Sequence, residues 1–109
     1  MLALTDSTFT SHLASAQRPV LVYFWATWCP PCRMVAPVLA QLETELADVL
    51  EIVKVDVDAE VATARDQRIM GAPTLNLYRG GELVHSIVGA RPKPALLREL
   101  EPHLKLAAR

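Results

Sequence analysis

The stretch Tyr23–Arg33, YFWATWCPPCR, decides how this chain is read. An aromatic run leads into two cysteines that are separated by two prolines. Upstream, PVLVYFW (19–25) is a continuous apolar, β-branched and aromatic run, which suits a strand covered on both faces, as in a parallel sheet. Downstream, CRMVAPVLAQLETELADV (32–49) carries Met34, Val38, Leu42 and Leu46 at helical spacing, with Pro37 as an expected kink. Cys29 and Cys32 therefore sit where a buried strand hands over to a helix. Backbone amides at a helix N-terminus are unpaired and partly positive, so they favour a thiolate. A cysteine titrates near ~8.5 when free, and this setting lowers that value. The i, i+3 spacing brings the two sulfurs within disulfide reach, with Cys29 expected outermost and Cys32 one turn inward.

Other chemistries for the pair fit less well. A structural zinc site needs four ligands, and the chain has no second C-x-x-C; His12, His85 and His103 lack ligand spacing. A c-type haem needs histidine directly after the second cysteine, where Arg33 stands. Two inert buried cysteines remain as an alternative, and the strand-to-helix position favours redox chemistry over it.

Bulk composition narrows the class. The 109 residues fit one domain, 1–109, able to bury roughly two-thirds of its unfolded surface. Hydrophobic residues make up 51% and charged residues 21%, a globular balance. The net charge of −1 supplies no field for nucleic acid or an anionic membrane. No apolar run approaches the roughly 18 residues of a membrane span, and the N-terminal MLALTDSTFTSHL lacks a basic leader region. A cytosolic location is expected, where a two-cysteine pair is transient or catalytic rather than a permanent staple.

The remaining segments complete an α/β order. TDSTFTSHLASAQ (5–17) opens with capping-type residues and puts Phe9, Leu13 and Ala16 on one helical face. LEIVKVDVD (50–58) reads as a second buried strand and EVATARDQRIM (60–70) as a helix. PTLNLYRGGELVHSIVG (73–89) reads as two strands turning at Gly80–Gly81. KPALLREL (93–100) starts a last helix with Pro94 near its first position, and Pro102 ends or bends it. A parallel βαβ half followed by an antiparallel hairpin predicts a three-layer sandwich, a central mixed β-sheet with helices on both faces.

FWATWCPPCRMVAP resembles the active-site segment of thioredoxins, which typically read W-C-G-P-C-K followed by a kinking proline. MGAPTLNLYRGGELV and VGA (88–90) are similar to the family's later landmarks, in order and at the expected spacing, so the resemblance runs over nearly the whole chain. It implies the thioredoxin fold, with Cys29 as nucleophile and Cys32 as resolving thiol. Trp28 matches the tryptophan beside the pair and Trp25 the one beneath it. Pro73 matches a cis-proline facing the sulfurs, and Ala72 would offer backbone hydrogen bonds to a substrate chain. Val88, Gly89 and Ala90 match the third wall of an apolar substrate groove.

Two departures concern redox tuning. Pro30 stands where thioredoxins usually carry glycine, while Pro31 matches the usual proline. A residue preceding proline is pushed away from helical angles, so the helix is expected to begin at Pro31 or Cys32. Pro30 also has no N–H to offer the Cys29 sulfur. Tyr23 stands where the family usually buries an aspartate that helps deprotonate the resolving thiol. Its hydroxyl titrates near ~10 and makes a poor base at neutral pH; filling core volume is its plainer role. Lys54 matches the family's buried lysine and lacks that aspartate, so it must reach water, find Asp56 or Asp58, or become neutral.

The resemblance thus implies a protein-disulfide reductase that needs no metal or organic cofactor. Its expected partners are protein disulfide substrates and a separate thioredoxin reductase as electron donor, with no nucleic acid, no membrane and a monomeric state. An oxidase or isomerase, or a redox-sensitive binding module or cochaperone, is the alternative.

Overall fold

A computed structural model describes residues 1–104; Lys105–Arg109, the end of the expected 1–109 domain, lie outside the described residues. A five-stranded sheet runs in the order β1-β3-β2-β4-β5: β1 (Leu2–Ala3), β2 (Val20–Trp25), β3 (Glu51–Asp56), β4 (Thr74–Arg79) and β5 (Glu82–Val88). β2 pairs in parallel with β3 and antiparallel with β4, so the sheet is mixed, as predicted. The helices are α1 (Phe9–Ser15), α2 (Pro30–Glu45), α3 (Val61–Asp66) and α4 (Lys93–Leu100), followed by a 3₁₀ turn over Glu101–His103. Pro102 lies in that turn and closes α4 without breaking the chain direction abruptly.

The apolar run of β2 is buried on both faces because it is the central strand. Leu21 and Tyr23 point into a cluster with Val35, Leu39 and Leu42 of α2 and Leu96 and Leu100 of α4. Val20, Val22 and Phe24 point the other way, against Phe9 and Leu13 of α1. Each such side chain removed from water contributes about 1.5–3 kcal/mol before entropy is counted. The hairpin turns at Gly80 and Gly81, at φ 59° and 84°, left-handed angles that glycine adopts at no steric cost.

Three details depart from the sequence reading. The two-residue β1 pairs parallel with β3 at Val53 and Lys54, an element too short to leave a pattern. Met34 lies off the buried stripe of α2 and is 74% exposed, because the inward face is Cys32, Val35, Leu39 and Leu42. Helix α2 starts at Pro30, one residue earlier than expected. The first turn of a helix leaves its N–H groups without helical partners, so two prolines there sacrifice no bond, and their fixed φ already suits the helix. That gain outweighs the pre-proline penalty on Pro30.

Helix α3 has no cap from its own N-terminal residue. Asp6 supplies one from 57 residues upstream, its Oδ1 accepting from the Thr63 N–H at 2.8 Å and the Thr63 hydroxyl at 2.7 Å. Glu60 reciprocates by accepting from the Asp6 N–H at 2.8 Å. The Thr63 hydrogen bonds hold the Asp6 carboxyl below its ordinary value of 3.8. A depressed folded value contributes stability above the unfolded value and loses it as pH falls toward the folded one. Asp6→Asn is therefore expected to flatten the acid limb of stability below about pH 4, as followed by thermal melts across pH. Leu39→Ala, at a position with no exposed surface, is expected to cost about 3 kcal/mol in urea titration.

Candidate active site

Strand β2 ends at Trp25, and four residues later the chain reaches Cys29, the N-cap of α2, with extended backbone (φ −105°, ψ 97°). Its Sγ accepts the Cys32 N–H at 3.2 Å. Pro30 and Pro31 have no N–H, so Cys32 supplies the first amide hydrogen of the helix, and it is spent on this sulfur. Cys29 and Cys32 are joined as a disulfide with Cα atoms 5.3 Å apart. In this oxidised form Cys29 is 1% and Cys32 2% exposed, so the expected difference in accessibility between them is not seen. Both sulfurs are tied into one ring at the top of the core, packed in the cluster that Ala72 and Ala90 also touch.

The distal residues come to the same place. The Ala72–Pro73 peptide bond is cis, as the resemblance implies. The Gly89 N–H donates to the Pro73 carbonyl at 2.8 Å, joining the end of β5 to the start of β4. Gly89 takes φ 93°, a left-handed angle that favours glycine; a Cβ there would meet only the flexible Arg91 guanidinium, at 3.3 Å. Val88 is 63% and Trp28 64% exposed. The Trp28 Nε1 donates to Asp58 Oδ2 at 2.8 Å, which fixes how the ring stands.

Beneath the pair, Tyr23 is 5% exposed and its hydroxyl donates to the Cys32 carbonyl at 2.9 Å. Burial pushes the Tyr23 hydroxyl above its ordinary value of 10. It is a fixed donor to the backbone of α2 and does not titrate near neutrality. Lys54 does not pair with either aspartate considered above. Asp56 Oδ1 accepts from the Asp58 and Ala59 N–H groups, and Asp58 holds Trp28. The Lys54 ammonium instead stands 5.8 Å from the Trp25 ring centroid, within cation–π range. A pocket of about 230 Å³, lined among others by Tyr23, Cys32 and Lys54, lies beside it.

Residues 1–102 match the thioredoxin family model. The chain belongs to the thioredoxin family. It is 50% identical over 99 residues to a thioredoxin of Mycobacterium bovis, covering 91% of this chain and 85% of that one. Identity to a thioredoxin of Streptomyces clavuligerus is 52% over 95 residues, 87% of this chain and 88% of the other. A bifunctional thioredoxin reductase/thioredoxin of Mycobacterium leprae is 46% identical over 99 residues, 91% of this chain and 22% of that protein. The chain is a thiol–disulfide oxidoreductase, a protein-disulfide reductase whose redox-active pair is Cys29–Cys32.

Sequence reasoning missed the Asp58 bond to Trp28 and the placement of Met70, which is 96% exposed and lines a pocket of about 160 Å³ with Trp28, Gly71 and Ala72. A methionine directly before the Gly71–Pro73 segment was the available signal. Tyr23→Phe is expected to lower the stability of the oxidised protein by about 1 kcal/mol in urea titration, the net worth of one buried hydrogen bond. An unchanged midpoint would mean that the hydroxyl only fills space.

Proposed function

We propose that Cys29 is the attacking thiolate and Cys32 the resolving thiol. The observation that carries this is the Cys32 N–H directed at Cys29 Sγ at the N-terminus of α2, a donor that stabilises negative charge on that sulfur. Cys29 S⁻ attacks one sulfur of a substrate disulfide, forming a mixed disulfide and expelling the other substrate sulfur as thiolate. Cys32, once deprotonated, attacks Cys29 Sγ; the Cys29–Cys32 bond forms and the second substrate thiolate leaves. Two electrons have then passed to the substrate, and no metal or organic cofactor takes part.

Trp28, Ala72, Pro73, Val88, Gly89 and Ala90 form the surface on which the substrate polypeptide lies, with the backbone at Ala72 available for pairing. Pro30, Pro31, Tyr23 and Lys54 tune the pair. The prolines limit the donors around Cys29 to the amide of Cys32 and those beyond it. Tyr23 grips the Cys32 carbonyl without accepting its proton, so the proton leaves toward the pocket that Lys54 lines rather than to a buried carboxylate. Electrons return from a separate thioredoxin reductase, a pairing supported by the fused relative from Mycobacterium leprae. The protein acts as a monomer of one domain in the cytosol; among the described residues no helix is long and apolar enough to cross a membrane.

Mixing each single-cysteine variant with a disulfide-bonded protein tests the assignment. Cys32→Ser is expected to accumulate a mixed disulfide and Cys29→Ser is not; the reverse pattern overturns the roles. The Cys29–Cys32 reduction potential is expected near about −270 mV, whereas a value near about −120 mV would mark an oxidant. Tyr23→Asp is expected to speed the resolving step near neutral pH by restoring a carboxylate acceptor. An unchanged pH–rate profile for that variant would sink the proposed proton route.

A further inference from the structure

Eight large hydrophobic residues are exposed among the described residues, and their distribution is uneven. Trp28 and Met34 flank the cysteine pair. Met70, Leu83 and Val88, at 96%, 51% and 63% exposure, stand around a different pocket, of about 470 Å³. Its floor is one face of the β4–β5 hairpin, where Thr74 is paired with Val88 and Asn76 with Ser86. The alternate residues Leu75, Leu77 and Ile87 belong to the core on the sheet's other face. The connection from α3 to β4 makes the wall.

The polar groups of this floor are occupied by one another. The Ser86 hydroxyl donates to Asn76 Oδ1 at 2.6 Å, Asn76 Nδ2 donates to the Tyr78 hydroxyl at 3.1 Å, and that hydroxyl donates to Gln67 Oε1 at 2.6 Å. Arg68 lines the pocket beside the apolar Ile69, Met70, Leu83 and Val88; a floor whose hydrogen bonds are largely closed internally, under a rim with one cation and otherwise mainly apolar groups, accepts an apolar side chain at little desolvation cost. The pocket is also continuous with the redox surface. Ile69, Met70 and Gly71 line both it and the smaller pocket that contains Trp28 and Ala72. Val88 immediately precedes Gly89, whose N–H is bound to Pro73. A polypeptide lying over Ala72–Pro73 meets this second pocket on crossing the Met70 side chain, a flexible thioether suited to varied partners.

We propose that the β4–β5 pocket is a second subsite for the substrate polypeptide, seating an apolar side chain several residues from the cysteine under attack. The occupant follows from continuity: the substrate of a protein-disulfide reductase must lie beside Cys29, and this pocket opens from the same surface. The inference rests on the groove assigned under the proposed function. It adds a specificity element outside the residues that contact the reacting sulfurs.

The test uses the full-length protein and two sets of disulfide-linked peptides. One set is short, with three residues on each side of the cysteine. The other is longer, with a single leucine moved stepwise from four to nine residues away on either side. Wild type is expected to show a kcat/KM about fivefold higher for the longer peptides at one or two leucine positions. Leu83→Glu is expected to erase that preference, and Leu83→Met, which keeps an apolar rim, to retain it. Circular dichroism melts of both variants guard against loss of the fold. Equal rates for both sets in wild type, or a preference unchanged by Leu83→Glu, overturn the subsite while leaving the reductase reading in place. Failure of wild type to reduce either set overturns that reading and the subsite together. Sedimentation of wild type as a dimer that Leu83→Glu dissociates would assign the patch to a second copy of the chain and also overturn the proposal.

Discussion

Everything at the redox site hangs from the complete enclosure of strand β2. It is held in parallel register by β3 and antiparallel by β4, with α1 on one face and α2 and α4 on the other. Shifting such a strand by one residue would exchange Val20, Val22 and Phe24 with Leu21 and Tyr23 and misfit both cores at once. The strand's exit point at Trp25 is consequently fixed, and so is the start of α2 at Pro30. A disulfide exchange site needs that fixity, because the attacking sulfur, the resolving sulfur and the substrate backbone must meet without a search.

The same enclosure explains why Tyr23 matters. The inward position of Tyr23 on β2, below the cysteines, is buried and borders the pocket that Lys54 also lines. A carboxylate placed there would be costly to charge; a phenol is neutral, fills volume and spends its single proton on the Cys32 carbonyl. The chain keeps a connection between strand and helix while removing the buried acid. Lys54, without that acid beside it, leans on the face of Trp25 instead.

Much of this was legible in the sequence because it was written in local pattern. The unbroken run at 19–25, the Gly80–Gly81 turn and the helical spacing of 32–49 depend on neighbours in the chain, and the thioredoxin landmarks at 28–32, 72–73 and 88–90 stand in order. What was illegible depends on partners far away in sequence. The Asp6 clasp on Thr63 spans 57 residues and the Trp28–Asp58 bond spans 30; neither leaves a periodic trace. The two-residue β1 is too brief to show alternation. The start of α2 was misplaced for another reason. The pre-proline bias against helical angles is outweighed there, because the orphaned amides of a first helical turn make that turn a favourable place for two prolines in succession.

Those two prolines carry a further consequence. With φ fixed at both positions, the segment between the sulfurs has few alternative shapes in the reduced chain, just as it has few in the unfolded one. Opening and closing the disulfide is then expected to turn side chains about their Cα–Cβ bonds more than to move the main chain. The molecule resembles a stiff plug more than a hinged switch: its oxidation state is legible to a partner that can touch sulfur, and silent to one that reads only shape.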